Sequence, residues 1–183
     1  MRLPLKWWDY AVCLAVAAVS VALLPLPLAA FAAALGALAV LIAIVDLDRY
    51  IIPDAAVLAM VLLGLGLAVL EGDGGRMVAV GDAALRAVVM GAAFYLLRAA
   101  YRWRSGLDGL GLGDVKLAAA AGPWLMWSTL PFAVAVAAVA ALITIGVRAT
   151  LRRERIHLKQ ELPFGAFLAP AVWMSFMIER LWR

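Results

Sequence analysis

Two short polar stretches interrupt an otherwise apolar chain, and each holds a carboxylate at a helix boundary. The first is Asp46-Leu47-Asp48-Arg49-Tyr50-Ile51-Ile52-Pro53-Asp54. The second is Gly109-Leu110-Gly111-Leu112-Gly113-Asp114-Val115-Lys116-Leu117, where alternating glycines close on an acid and lead into an Ala- and Leu-rich segment. One carboxylate ahead of an apolar helix is ordinarily a cap, because Asp accepts hydrogen bonds from the orphan amides of the first turn. Two carboxylates brought together can do more. An ionised one takes a proton from water, while a protonated one hydrogen-bonds a scissile carbonyl. Sharing one proton is natural, because two close anions repel. Asp46 and Asp114 are the candidate catalytic pair, with Asp48 as the rival for the first role. Asp54 follows Pro53 and is expected to cap the next helix. Alternating glycines leave little side-chain bulk, so a substrate chain could approach the 109–113 backbone, and positive φ angles would be free there.

The elements that must position these acids are membrane helices. Of 183 residues, 67% are hydrophobic and 15% charged, and the mean hydropathy is +1.01. A soluble domain has roughly 45–50% apolar and about 25% charged residues. The expectation is an all-α polytopic membrane protein, one membrane-embedded domain over 1–183, with seven spans near 7–24, 28–46, 54–70, 77–98, 114–128, 131–147 and 163–179. Runs of this length fit a bilayer core. Trp7, Trp8 and Tyr10 read as an interfacial aromatic belt. The net charge of +4 does not imply nucleic acid, because the cations fall between apolar runs. Counted by alternating sides, twelve Lys and Arg lie on one side and three (Arg76, Arg180 and Arg183) on the other, with Arg86 inside a span. That bias places the N-terminus in the cytoplasm. Asp46 then ends the second span, and Asp114 begins the fifth, at the same cytoplasmic face. Asp82 and Arg86, at i and i+4 within the fourth span, are expected to pair on one helix face. Cys13 is a lone buried thiol, so there is neither a disulfide within the chain nor a cysteine cluster for zinc. His157 sits in an Arg-rich loop and reads as solvated.

These residues resemble the type IV prepilin peptidases, the GxGD class of membrane aspartyl proteases. Asp46 precedes Asp54 by eight residues, with Pro53 between; Gly111-Leu112-Gly113-Asp114 is the GxGD, followed by Val115-Lys116-Leu117. A third signature, Pro163-Phe164-Gly165-Ala166-Phe167-Leu168-Ala169, opens the last span, with Ala166 where a second proline is usual. GxGD alone is a weak signal, but the three in this order are a strong one. The resemblance implies catalytic aspartates at Asp46 and Asp114, with Gly111, Gly113, Lys116 and Asp48 as candidate substrate-binding residues. It implies a prepilin, pseudopilin or Flp-type substrate of a type IV pilus or type II secretion system, cleaved after a glycine ahead of an apolar stretch. The implied location is the bacterial inner membrane. Bifunctional members carry a zinc domain with paired CxxC motifs and also N-methylate the cleaved pilin. With one cysteine, this chain is expected to be a peptidase-only short form, with no metal and no cofactor.

Two other readings fit parts of the pattern. A presenilin-like protease also pairs an Asp with GxGD, but deeper in the membrane. A proton-coupled transporter uses intramembrane acids near the bilayer midplane, where only Asp82 and Arg86 lie. A helix dipole favours an anion at an N-terminus and disfavours one at a C-terminus. From helix ends alone, therefore, Asp114 is expected to be the base and Asp46 the acid.

Overall fold

A computed structural model describes residues 6–72, 75–106, 109–152 and 162–183. Arg2, Asp73, Arg153, Arg155, His157 and Lys159 fall outside the described residues. Seven helices and no strand are present among those described: α1 (Trp7–Leu23), α2 (Leu28–Arg49), α3 (Asp54–Glu71), α4 (Arg76–Ser105), α5 (Leu112–Ala121), α6 (Thr129–Arg152) and α7 (Gly165–Leu181). Four of them, α2, α3, α4 and most of α6, are long and apolar enough to cross a membrane.

Local chemistry sets the helix ends that matter. α2 runs on past Asp46 to Arg49 and stops at Tyr50, which adopts the left-handed conformation (φ 55°) and donates its N–H to Asp46 O at 2.9 Å. Pro53 then holds the N-cap position of α3, where its missing N–H is no loss. α4 ends on Gly106 at φ 68°, a left-handed position that glycine occupies without a Cβ clash.

α2, α3, α5 and α7 form a closed inner ring in which each packs on the next. α1 lies outside α2, α4 outside α3 and α5, and α6 outside α7. Alanines 118, 120, 121, 169 and 171 are buried at these contacts, and small residues let helix backbones approach closely. Trp124 and Phe176 meet edge to face at 5.5 Å in the centre, and Trp124 Nε1 donates to Met60 O at 2.9 Å.

The expected span at 114–128 is corrected. α5 has only ten residues, about 15 Å of helix, and 122–128 is a turn, buried over 122–125 and exposed over 126–128. Non-helical backbone in an apolar setting is tolerated only where protein satisfies it, and here side chains of α4 and α7 do. Arg86 Nε donates to Gly122 O at 2.9 Å. Trp127 Nε1 donates to Asp82 Oδ1 at 3.0 Å. Met126 N donates to Glu179 Oε2 at 2.9 Å. Asp82 and Arg86 do pair, and together they clasp this turn. Gly122 lies against α4 so closely that a Cβ would stand 2.3 Å from Ala87 N.

Candidate active site

The ring brings one end of α2, α5 and α7 together, with the 50–53 linker between α2 and α3 closing the fourth side. Asp46 projects from the last turn of α2 and is 4% exposed. Its Oδ2 accepts the Ala166 N–H at 2.8 Å, and the Gly165 amide faces it as well. These are among the first amides of α7, which its own N-cap residue, Phe164, does not satisfy through a side chain. A carboxylate from another helix therefore caps α7, supplying the acceptor that helix starts require.

Asp114 is the third residue of α5 and is 8% exposed. Its Oδ2 accepts the Gly111 N–H at 3.3 Å, closing half of a capping box. It lies near enough to Asp46 for their charges to interact, and the Gly165 amide faces it too. One backbone N–H is thus common to two carboxylates that are 68 residues apart in sequence. Both acids do the capping work that argues against catalysis when either is considered alone. What capping does not require is that two buried carboxylates from different helices come close enough to interact.

The glycines around the pair serve close packing. A Cβ on Gly111 would stand 3.1 Å from Asp114 Oδ2, and one on Gly113 would stand 3.2 Å from Ile52 Cβ. Positive φ angles, expected to be useful along 109–113, are not used at Gly109, Gly111 or Gly113. A Cβ on Gly109 would meet the Tyr101 ring at 2.4 Å. Arg98 donates to Leu110 O, which ties the glycine loop to α4.

Three sequence expectations change. Asp54 does not cap α3; Pro53 takes that position, and Asp54 Oδ1 instead accepts from Lys116 Nζ at 2.7 Å. That exposed pair joins the start of α3 to α5, so Lys116, a candidate substrate contact, is engaged with Asp54 in this state. Asp48 is exposed and lies beside Arg49 Nε at 3.4 Å, turned away from the pair. Assigning acid and base from helix ends also fails, because Asp46 ends its own helix yet sits on the N-terminal amides of α7. Both acids meet helix N-termini, so this argument no longer separates them. The residues that sequence reasoning left out of the site are Gly165, Ala166 and Ile52. The signal for the first two was Pro163-Phe164-Gly165 opening the last helix, a helix start without a Ser, Thr, Asp or Asn cap. Among the described residues, no group of three or more His, Cys, Asp or Glu is placed to hold a metal ion.

Comparison with known proteins adds an independent line. A family model described as the type IV leader peptidase family matches residues 33–146, a stretch that contains both acids and stops short of the α7 amides. A prepilin leader peptidase/N-methyltransferase of Burkholderia pseudomallei (strain 1026b) is 41% identical over 151 residues, covering 78% of this chain and 45% of that protein. One from Aeromonas hydrophila is 33% identical over 133 residues, 73% of this chain and 44% of that protein. One from Pectobacterium carotovorum subsp. carotovorum is 34% identical over 126 residues, 69% and 43% respectively. The matched region thus spans less than half the length of these relatives. No solved structure matches.

Proposed function

Because this chain belongs to the type IV leader peptidase family, we propose that it is a membrane aspartic endopeptidase. It removes the basic leader from prepilin-like precursors at the cytoplasmic face of a bacterial inner membrane. The observation that carries the reading is that two buried carboxylates from different helices, Asp46 held by the Ala166 amide of α7 and Asp114 by the Gly111 amide, come close enough to interact.

In this reading all seven helices lie in the membrane with the N-terminus inside, in keeping with the uneven distribution of Lys and Arg. The site end of the ring then faces the cytoplasm, as do the cations near it: Arg49, Arg98, Arg102, Arg104 and Lys116. The dyad acts on a water between the two carboxylates. The ionised carboxylate takes a proton from that water as its oxygen adds to the scissile carbonyl. The protonated carboxyl hydrogen-bonds the carbonyl oxygen as negative charge develops there. Collapse of the tetrahedral adduct breaks the C–N bond, and a carboxyl proton goes to the departing amine. The protons belong to the coupled pair, not to a fixed member of it.

The substrate must be extended where it is cut, since helical carbonyls are engaged in hydrogen bonds. A glycine before the cut keeps that stretch from continuing the helix. Gly111 and Gly113 act at the site through packing, letting Asp114 and Ile52 approach their backbone, and Lys116 and Asp48 line the approach from the cytoplasm.

The test uses the purified chain in detergent with a precursor carrying a basic leader, a glycine and an apolar segment, and with no ion gradient. Release of the leader by a cut after that glycine, mapped by mass spectrometry, is expected. A cut in the middle of the apolar segment would instead favour a presenilin-like protease. Activity that appears only as gradient-driven transport in vesicles would favour a transporter.

A further inference from the structure

Ile52 belongs to no helix and is assigned no role by the chemistry above, yet it occupies the gap between the two helix starts that hold the acids. It lies in the linker between α2 and α3 and is 8% exposed. On one side is Gly113, the residue before Asp114: a Cβ there would meet Ile52 Cβ at 3.2 Å and Cδ1 and Cγ1 at 3.3 Å. On the other side is Gly165, whose amide faces both acids. A Cβ there would meet Ile52 Cδ1 at 2.6 Å and Cγ1 at 3.1 Å, and Asp46 Oδ2 at 3.0 Å. Two glycines on two different helices thus open a slot, and one β-branched side chain fills it.

We infer that Ile52 is the spacer that sets the separation of the two aspartates. Asp114 moves with the start of α5, and Asp46 is anchored on the start of α7 through Ala166 N–H. The side chain between those two starts therefore determines how far apart the carboxylates stand. A close-packed branched residue does this well, because it has few rotamers and no room to shift. The linker brings it in from outside the helices, just after the left-handed turn at Tyr50. Ile52 is a positioning residue and acts only through the dyad, so the inference rests on the peptidase reading given above.

The experiment compares cleavage of a matched prepilin by the wild-type chain, Ile52→Val and Ile52→Ala, with Asp46→Asn and Asp114→Asn alongside. Ile52→Ala is expected to lower kcat at least tenfold while leaving KM within about twofold. The limbs of its pH–rate profile should move apart, because α5 and α7 can close and two nearer carboxylates interact more strongly. Ile52→Val, which loses only the δ methyl, should lower kcat by twofold or more with KM unchanged. Gly165→Ala should be inactive, and adding Ile52→Ala should restore part of its kcat, because the two shortest contacts to Ile52 are removed. Ile52→Ala at wild-type kcat, or a loss carried by KM, overturns the spacer role. Should Ile52→Ala fail to accumulate, Ile52→Val at wild-type kcat overturns it equally. If Asp46→Asn or Asp114→Asn cleaves normally, it is the peptidase reading that has failed, whatever Ile52 does.

Discussion

Asp46 has two jobs in this structure, and two substitutions separate them. Asparagine at 46 keeps a carbonyl oxygen that accepts the Ala166 N–H now bound at 2.8 Å. It cannot accept or release the proton that the proposed chemistry requires. Alanine at 46 loses the proton carrier and the acceptor together. General acid–base groups contribute about 10²–10⁴ in rate, which is about 2.7–5.4 kcal/mol of barrier at 1.36 kcal/mol per decade. A buried amide left without its acceptor costs about 1–3 kcal/mol of stability. Asp46→Asn should therefore lose at least a hundredfold in cleavage and keep its unfolding midpoint. Asp46→Ala should lose as much activity and unfold earlier, with the Ala166 N–H left only its longer contact to Pro163 O at 3.2 Å. Asp114→Asn should behave like Asp46→Asn, since its amide can still accept from Gly111 N. The double variant Asp46→Asn/Asp114→Asn should be little worse than either single, because residues that act as a unit are not additive. A gel-shift assay of prepilin processing, together with an unfolding curve in detergent, reads both quantities. Asp46→Asn within tenfold of wild-type turnover refutes the dyad. Equal unfolding midpoints for the Asn and Ala variants refute the α7 anchor.

Three further outcomes are expected. Asp48→Asn should retain turnover within about threefold, since its exposed carboxylate lies beside Arg49 and away from the pair; a dead Asp48→Asn beside an active Asp46→Asn would move the first catalytic position by two. Gly113→Val should abolish prepilin cleavage while the protein still inserts, because even a Cβ there stands 3.2 Å from Ile52, and Val at the substrate's cleavage-site glycine should block processing in the same gel assay. Arg86→Ala should lower the unfolding midpoint by the equivalent of about 1–3 kcal/mol, since it leaves Gly122 O and Asp82 without their cation, whereas a midpoint equal to wild type would show that the 122–128 turn holds without it.

What the sequence made legible and what it left hidden divide along a physical line. Asp46 and Asp114 stood out because a carboxylate in so apolar a chain needs a reason. The glycines before Asp114 stood out because three at alternate positions are hard to explain by packing against lipid. Hydropathy anticipated seven helical segments in the right order, since apolar content is a local property, and four of them are long and apolar enough to cross a membrane. It misjudged α5 because the turn at 122–128 is as apolar as the helix before it: Trp124 and Leu125 are buried there. What ends the helix is partly local, since Pro123 follows the Gly122 cap and has no N–H to continue it; what holds the turn is tertiary, namely Arg86 on Gly122 O and Glu179 on Met126 N, and no window of sequence contains those partners.

The same distinction governs the site itself. A helix end read alone shows the dipole of its own helix, and for Asp46 that is the C-terminal end of α2. The end that decides its environment belongs to α7, 120 residues later, where two amides meet its carboxylate. Pro163-Phe164-Gly165 then has a physical meaning. A helix that begins without a side-chain cap of its own leaves amides to be satisfied, and here Asp46 supplies the shorter acceptor for Ala166 N–H, beside Pro163 O. Gly165 must lack a Cβ so that Asp46 can approach to that distance and Ile52 can fill the gap beside it. Under the proposed peptidase reading, the first acid has no separate scaffold. The contact at the start of α7 also holds Asp46 where it interacts with Asp114, so in that reading the packing of α2 on α7 sets the geometry of the proposed pair.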